Sequence, residues 1–343
     1  MIAELPMPAI WAIFAACAAV IGIGGTAMTR LADIIADRTG LGEATTGGIL
    51  LGAATSLSGS VVSITAALDG RASLAFSNGV GGIAAQTAFL ALADVVHRRA
   101  NLEHAAAELA NVFQCGLLIL LLTLPFVAVT SPEFTVFAVH PVSFAILGVY
   151  LAGAFAAQKV HDEPMWRPIR TEETRVDAPE DDEEPNRSVK GPALKFAGLM
   201  AVLGCTGWVL ANTAGVIIDE LGISGSIVGA LMTATVTSLP ELVTTIAAVR
   251  RGALQLAVGG IIGGNTFDTL FLVASDMAYR EGSLYHNVDT ADLFWVAIGL
   301  VLNGILLIGL LMREKRGTGN IGFESLNILL IYVGAVALRS LVG

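Results

Sequence analysis

Residues 55–57 read Thr55-Ser56-Leu57, and 182 positions downstream the chain reads Thr237-Ser238-Leu239. The register holds on both sides without a gap. Gly40-Leu41-Gly42 falls on Gly222-Ile223-Ser224, Gly47 on Gly229, Gly70 on Gly252 and Leu74-Ala75 on Leu256-Ala257. Further on, Gly81-Gly82 falls on Gly263-Gly264, Phe89-Leu90 on Phe271-Leu272 and Asp94 on Asp276. About twenty of the 66 pairs between Thr29 and Asp94 are identical. Apolar composition inflates chance matches of Ala, Leu and Gly, so the unbroken Thr-Ser-Leu and the absence of gaps carry the weight. The chain contains one unit twice.

Composition says what medium surrounds that unit. Of 343 residues, 55% are hydrophobic and only 14% charged, with a mean hydropathy of +0.74, too little polar surface to cover a water-soluble globule. A bilayer core about 30 Å thick takes roughly 20 apolar residues per helix. Ten such stretches are read: Pro8 to Met28, Gly47 to Leu68, Ala72 to Val96, Ala110 to Val129, Thr135 to Ala157, Pro192 to Ile218, Ile223 to Val249, Ala253 to Ala278, Ala291 to Met312 and Phe323 to Leu341. They are too long for barrel strands and lack the two-residue alternation of such strands. Cys17, Cys115 and Cys205 all lie inside these stretches and read as small packing residues rather than a disulfide framework. The first Lys or Arg is Arg30, so a cleaved signal peptide is not expected.

Five stretches separate corresponding points of the two units, and five is odd. The second unit therefore enters the bilayer from the opposite side, an inverted-topology repeat. The expected fold is an all-α membrane protein of ten transmembrane helices in two inverted five-helix repeats, residues 1–157 and 192–343, joined by a linker at 158–191. Alternating the helices places 16 Lys and Arg on one side and only Arg71, Arg280 and Arg339 on the other. That bias puts the linker in the cytoplasm and both termini outside, in a multi-pass protein of the inner membrane. The linker carries four prolines and the acidic run Glu180-Asp181-Asp182-Glu183-Glu184, a composition that does not bury a core and reads as mostly disordered. Pseudo-two-fold architecture of this kind serves alternating access around a midplane site; a duplicated scaffold without transport is the other reading.

The chemistry-bearing residues gather in the second unit. Thr237-Ser238-Leu239-Pro240-Glu241 lies in the seventh stretch and Gly263-Gly264-Asn265-Thr266-Phe267-Asp268 in the eighth. Pro240 lacks an N–H, so the helix is expected to break or kink there and free carbonyls near Val236 and Thr237. Those carbonyls, the hydroxyls of Thr237 and Ser238 and the carboxylate of Glu241 are the hard oxygen donors that Na⁺ or Ca²⁺ needs once stripped of water. Glycines 259, 260, 263 and 264 allow the eighth helix to approach closely and bring Asn265 and Asp268 to the same cavity. Glu241 and Asp268, ionisable groups deep in apolar segments, each need a partner, a proton or a cation.

At these residues the sequence resembles the sodium/calcium exchanger family. Thr237-Ser238-Leu239-Pro240-Glu241 is similar to the G-T-S-x-P-E signature of that family's second alpha-repeat, with Val236 in place of its leading glycine, and Gly264-Asn265-Thr266-Phe267-Asp268 to its G-S-N-x-x-D element. The resemblance implies an ion site between the second, third, seventh and eighth helices, with the first and sixth sliding as a gate. Its ligands, carried over by position, are Thr237, Ser238, Glu241 and Asp268, with Thr55, Ser56 and Gln86 from the first repeat. Gly59 stands where the family places a second glutamate, Ser58 replaces the preceding proline, and Gly82 and Ile83 replace its serine and asparagine. The fixed acids thus come from one repeat, a departure from the family that leaves Ca²⁺, Na⁺ and H⁺ open as cargo. A proton- or monovalent-coupled exchanger that does not carry calcium, and a non-transporting homologue acting as a sensor, are the other readings.

Other residues are read as structural. Asp33, Asp37 and Glu43 read as solvated caps, and Asp94 and Asp276 as interfacial caps or partners of Arg98 and Arg280. The five histidines lie in or near loops, away from Glu241. With no H-E-x-x-H pair and no buried nucleophile facing a histidine, the chain does not read as an enzyme. No cofactor is expected beyond the transported cation, and the expected partners are inorganic cations and the lipid bilayer, not nucleic acid. Reporter tags at both termini should be periplasmic and one inserted at Asp182 cytoplasmic; a cytoplasmic N-terminus would overturn the inverted repeat.

Overall fold

The computed structural model describes residues 2–39, 55–97, 100–174, 188–317 and 321–342. These residues form α1 (Met7–Thr39), α2 (Leu57–Leu68), α3 (Ala72–His97), the short α4 (Leu102–Ala105), α5 (Leu109–Thr130) and α6 (Pro141–Asp162). They continue with α7 (Lys190–Leu221), α8 (Gly225–Thr237), α9 (Leu239–Arg251), α10 (Leu254–Asp268), α11 (Leu270–Ala278), α12 (Thr290–Met312) and α13 (Phe323–Val342). Residues 47–54 of the expected second helix lie outside the described residues. So do Glu43, Arg98, Arg99 and the acidic run at 180–184.

Eight spans among the described residues are long and apolar enough to cross a bilayer, and α8 with α9, bent by 44°, makes a ninth when counted as one. Large apolar side chains cover the outside of the bundle, among them Ile23, Phe155 and Leu194, each at least 75% exposed. Such a surface requires lipid. The chain is a multi-pass, all-helical membrane protein.

α3 runs through the middle. It is buried along most of its length, so it shows no polar stripe, and its Asn78 and Gln86 are enclosed rather than solvated. α1 packs along α7, and both also touch the broken helices through glycine. A Cβ on Gly25 would overlap the ring of Pro240, and one on Gly207 would come 2.8 Å from the Ser58 carbonyl oxygen. Gly25 and Gly207 are 182 positions apart, as are Ser58 and Pro240. One crossed contact occurs twice.

The same doubling fixes the two ends of the bundle. Asp94 accepts hydrogen bonds from the amides of Leu102 (2.7 Å) and Gly322 (2.9 Å). Asp276 accepts from the amides of Leu284 (3.0 Å) and His140 (2.7 Å), each again 182 positions from its counterpart. Both carboxylates are fully buried. They cap backbone groups of neighbouring segments, and Asp276 bonds to no arginine but to these amides and to Ser143. Such clamps are needed because amides at helix starts inside a bilayer protein have no water to turn to.

Several boundaries differ from the sequence reading: the first helix runs on to Thr39 rather than ending at Met28, the fifth to Asp162 rather than Ala157, and the eighth is interrupted at Thr269. Two further differences have a visible cause. The fifth helix begins at Pro141 rather than Thr135, because Pro141 holds His140 in extended backbone (φ −71°, ψ 138°) and the Asp276 clamp fixes it there. The interruption in the seventh helix falls at Ser238 rather than at Pro240 (φ −94°, ψ 5°). Proline is accommodated in a first helical turn, where its missing N–H has no bond to make, so α9 restarts ahead of it.

The start of the linker is docked. Arg313 donates to the Ile169 carbonyl (2.7 Å), His104 meets Thr171 (2.8 Å) and Lys315 pairs with Glu173 (2.7 Å). Replacing either clamp carboxylate, Asp94→Asn or Asp276→Asn, sets an amide N–H against a buried backbone donor. Each should lower stability by roughly 1–3 kcal/mol. Thermal unfolding in detergent checks this, and the two variants should behave alike if the clamps are equivalent.

Candidate functional site

The interruption at Ser238 opens one small cavity inside the bundle. Pro240 has no hydrogen for the Val236 carbonyl, so the turn before α9 opens and turns Thr237 and Ser238 inward. Beside them pass α2, α3 and α10. The cavity is lined by Ser56, Gly59, Asn78, Gly82, Gln86, Thr237, Ser238, Glu241, Asp268 and Phe271, and has about 10 Å³ of free volume. That is room for one water or one bare ion, not for a hydrated cation.

Its hydrogen bonds run between the two sequence repeats. Ser56 Oγ donates to Asp268 Oδ1 at 2.5 Å, and Gln86 Nε2 donates to Asp268 Oδ2 at 2.7 Å and Ser238 Oγ at 3.2 Å. Ser56 and Ser238 are repeat equivalents, and so are Gln86 and Asp268. The serine of each repeat therefore bonds to residue 86 or 268 of the other. Thr55 hydrogen-bonds the Glu241 carboxylate, and Thr237 Oγ1 donates to the Ala234 carbonyl at 3.2 Å, leaving its lone pairs free.

What remains unbonded defines the site's chemistry. Glu241 Oε2 and Gln86 Oε1 are buried without a hydrogen-bond donor, and among the described residues no Lys, Arg or His lines the cavity. Each orphaned acceptor costs about 1–3 kcal/mol, and two buried carboxyl groups without a base require protons or a cation. The donor set consists of carboxylate, amide and hydroxyl oxygens, which suits a hard cation.

Seven of the eight residues singled out from sequence meet here: Thr237, Ser238, Glu241 and Asp268 from the second repeat, with Thr55, Ser56 and Gln86 from the first. Asn265 does not line the cavity. Its amide donates to Thr87 Oγ1 at 3.0 Å, beside Asn303. Two residues were not legible in sequence. Asn78 donates to the Gly59 carbonyl (3.1 Å) and Ser63 Oγ (2.9 Å) and accepts from Thr233 (2.8 Å), so it holds the Gly59 backbone. A lone amide in an apolar helix was its signal, but its repeat equivalent is Gly260. Phe271 was visible only as half of the Phe89/Phe271 match. A larger cavity of about 460 Å³ lies elsewhere, between the ends of α3 and α9 and the docked Glu172-Glu173.

Comparison with known proteins follows the same outline. The family model described as sodium/calcium exchanger protein matches residues 9–158 and 191–341. Sodium/calcium exchanger MaX1 of Methanosarcina acetivorans is 32% identical over 93 residues, 26% of this chain and 25% of its own length, so the matched stretch spans a quarter of that relative. Putative antiporter CaxA of Alkalimonas amylolytica is 26% identical over 277 residues, 80% of this chain and 81% of CaxA. Among solved structures, the H⁺/Ca²⁺ exchanger CAX superposes with a TM-score of 0.67 at 13% identity, covering 97% of this chain and 85% of that one. The sodium-calcium exchanger NCX_Mj, soaked with 10 mM Na⁺ and zero Ca²⁺, gives 0.62 at 16% identity, covering 96% and 98%. At these identities the likeness is one of fold.

The position opposite Glu241 explains itself sterically. Gly59 lines the cavity, but a Cβ there would stand 2.7 Å from Phe271 Cε2 and 3.5 Å from Thr237 Oγ1. The Phe271 ring fills the space a second carboxylate needs. Gly59→Glu alone should therefore lose stability in detergent. Gly59→Glu combined with Phe271→Ala should recover folding and show a larger calcium-dependent thermal shift than wild type, because a ligand of the folded state stabilises it by mass action. An unchanged calcium response in the well-folded double variant would mean that a carboxyl at 59 does not reach the ion.

Proposed function

The chain belongs to the sodium/calcium exchanger family, and from that membership and the geometry of the cavity we propose that it is a secondary-active cation antiporter with a single competitive ion site. The observation that carries this is the pair of buried carboxyl groups, Glu241 and Asp268, with orphaned oxygens beside them and no base in the lining. Two negative charges are balanced by one Ca²⁺ or by two monovalent cations, Na⁺ or H⁺. Only one of these loads fits at a time, and mutual exclusion at one site is what couples opposite fluxes.

Glu241 Oε2, Gln86 Oε1 and the hydroxyls of Thr237 and Ser238 would coordinate the ion. Ser56 and Gln86 hold Asp268 in place, and Thr55 does the same for Glu241. An ion entering sheds its water, since the cavity has no room for a hydration shell.

Alternating access follows from ten spans in two inverted repeats with the site between them. The doubled contacts support that reading, because each recurs at the one sequence offset. The moving part in this proposal is α1 with α7. Gly25 against Pro240 and Gly207 against Ser58 give both helices side-chain-free contacts over which to slide. The site lies in a multi-pass protein whose basic loops and linker face the cytoplasm, by the charge bias of its sequence.

Reconstituted protein should accumulate radiolabelled Ca²⁺ in vesicles loaded with Na⁺ or held at acidic internal pH. Glu241→Gln should reduce that uptake to the rate of empty vesicles while leaving the yield of monodisperse protein unchanged, since the amide keeps the volume and removes the charge. Wild-type flux from Glu241→Gln would place the ion elsewhere.

A further inference from the structure

The two ends of the bundle are built alike around their buried aspartates, but they differ at one hydrogen-bonded position. Around Asp276, Ser143 Oγ donates to the carboxylate at 2.7 Å and meets the Tyr285 hydroxyl at 3.0 Å. At the other end the repeat offset puts Ser325 in the place of Ser143 and Glu103 in the place of Tyr285. Where the hydroxyl stood there is a carboxyl group. Glu103 is 1% exposed, and neither of its oxygens has a hydrogen-bond donor from another residue; Glu324 Oε1 and Ser325 Oγ are likewise buried and unpartnered.

The Glu103 carboxyl lies within hydrogen-bonding reach of the Glu324 carboxyl. Two carboxylates are acceptors only, so this contact becomes a bond when one of them carries a proton. Among the described residues, the surrounding charges do not provide an alternative. Asp94, from α3, adds a further negative charge. Arg313, at the end of α12, donates to the carbonyls of Ile169 and His104 and to Thr174. His104, on α4 itself, is occupied by the Arg313 carbonyl and Thr171. In the α12–α13 turn, Glu314 accepts from the Phe323 amide and Lys315 is paired with Glu173. α10 adds apolar Leu254 and Val258 to the same core as Leu102 and Ala105. Among the described residues no three His, Cys, Asp or Glu side chains converge as a metal site requires. A proton, not a divalent ion, suits the place.

We propose that Glu103, Glu324 and Ser325 form a second proton-binding site, separate from the ion cavity, in which one shared proton ties α4 to the start of α13. Its function is to read pH at the linker-bearing end of the bundle. Burial, the Asp94 charge and the Glu324 charge, in that order, push the Glu103 carboxyl well above the usual carboxylate range. The folded protein then keeps a proton that the unfolded chain releases. The stability this contributes is fully present below the ordinary carboxylate range and is lost as the pH rises through the raised value. Once the proton leaves, like charges face one another across the α4–α13 contact. The docked residues Ile169, Thr171 and Thr174, held by His104 and Arg313, lose their support.

The test is difference infrared spectroscopy of the reconstituted protein between acid and alkaline pH. In a Glu241→Gln/Asp268→Asn background, which removes the carboxyls of the cavity, the protein should show a protonated-carboxyl carbonyl band that disappears on alkalinisation and that is lost when Glu103→Gln or Glu324→Gln is added. Absence of a titrating band in that background, or a band left unchanged by adding Glu103→Gln, would overturn the proposal. Hydrogen exchange of the wild type reads the same event without a substitution. Protection factors at the amides of Leu102 and Gly322, both held by Asp94, should fall as the pH rises, while those of Leu284 and His140, held by Asp276, stay constant. Equal behaviour at the two ends would refute the site. Glu103→Tyr, which installs the residue of the other repeat, should remove the pH dependence while preserving the fold; a retained slope in that folded variant would count against the proposal.

Discussion

Two buried carboxyl groups share the central cavity, with no Lys, Arg or His among its described lining residues, and the rest of the cavity is organised around that fact. Asp268 is held by Gln86 and Ser56 of the other repeat, and Glu241 by Thr55, so both acids are fixed in place. Fixing them has a cost in desolvation that only protons or a cation offset. The same hydrogen bonds that orient the acids leave Glu241 Oε2 and Gln86 Oε1 open.

Backbone satisfaction governs everything outside the cavity. A bilayer offers no water to stray amides, and the bundle answers with buried carboxylates at both ends, Asp94 and Asp276, each gathering two N–H groups from distant segments. At mid-depth the logic reverses. Pro240 withholds an N–H, the helix is interrupted at Ser238, and Thr237 and Ser238 at the interruption line the cavity.

Symmetry positions these features, and departures from symmetry give them chemical character. Gly59 answers Glu241, and Gln86 answers Asp268, so one repeat supplies the charge and the other its supports. Phe271 occupies the volume that a carboxylate at 59 would need. At the bundle ends, Tyr285 closes its hydrogen-bond network, while Glu103 at the equivalent position leaves one open. In each case the backbone contacts recur and a single side chain decides what the place does.

The sequence alone determined the medium, the helical class, the doubling and the main acids. Apolar runs of bilayer length and an ungapped offset are one-dimensional properties, and an ionisable residue inside such a run is conspicuous by its cost. Seven site residues were legible because the repeat carried their positions from one half to the other. Asn265 and the fifth-helix start were not placed correctly by that reasoning, because the direction of an amide and the docking of His140 depend on partners far away in the chain, Thr87 and Asp276. Asn78, Phe271 and the unpaired Glu103–Glu324 contact were invisible for the same reason. Whether a buried polar group is satisfied, and whether a glycine faces open space or a phenyl ring, is set by the three-dimensional meeting of segments that the sequence lists far apart.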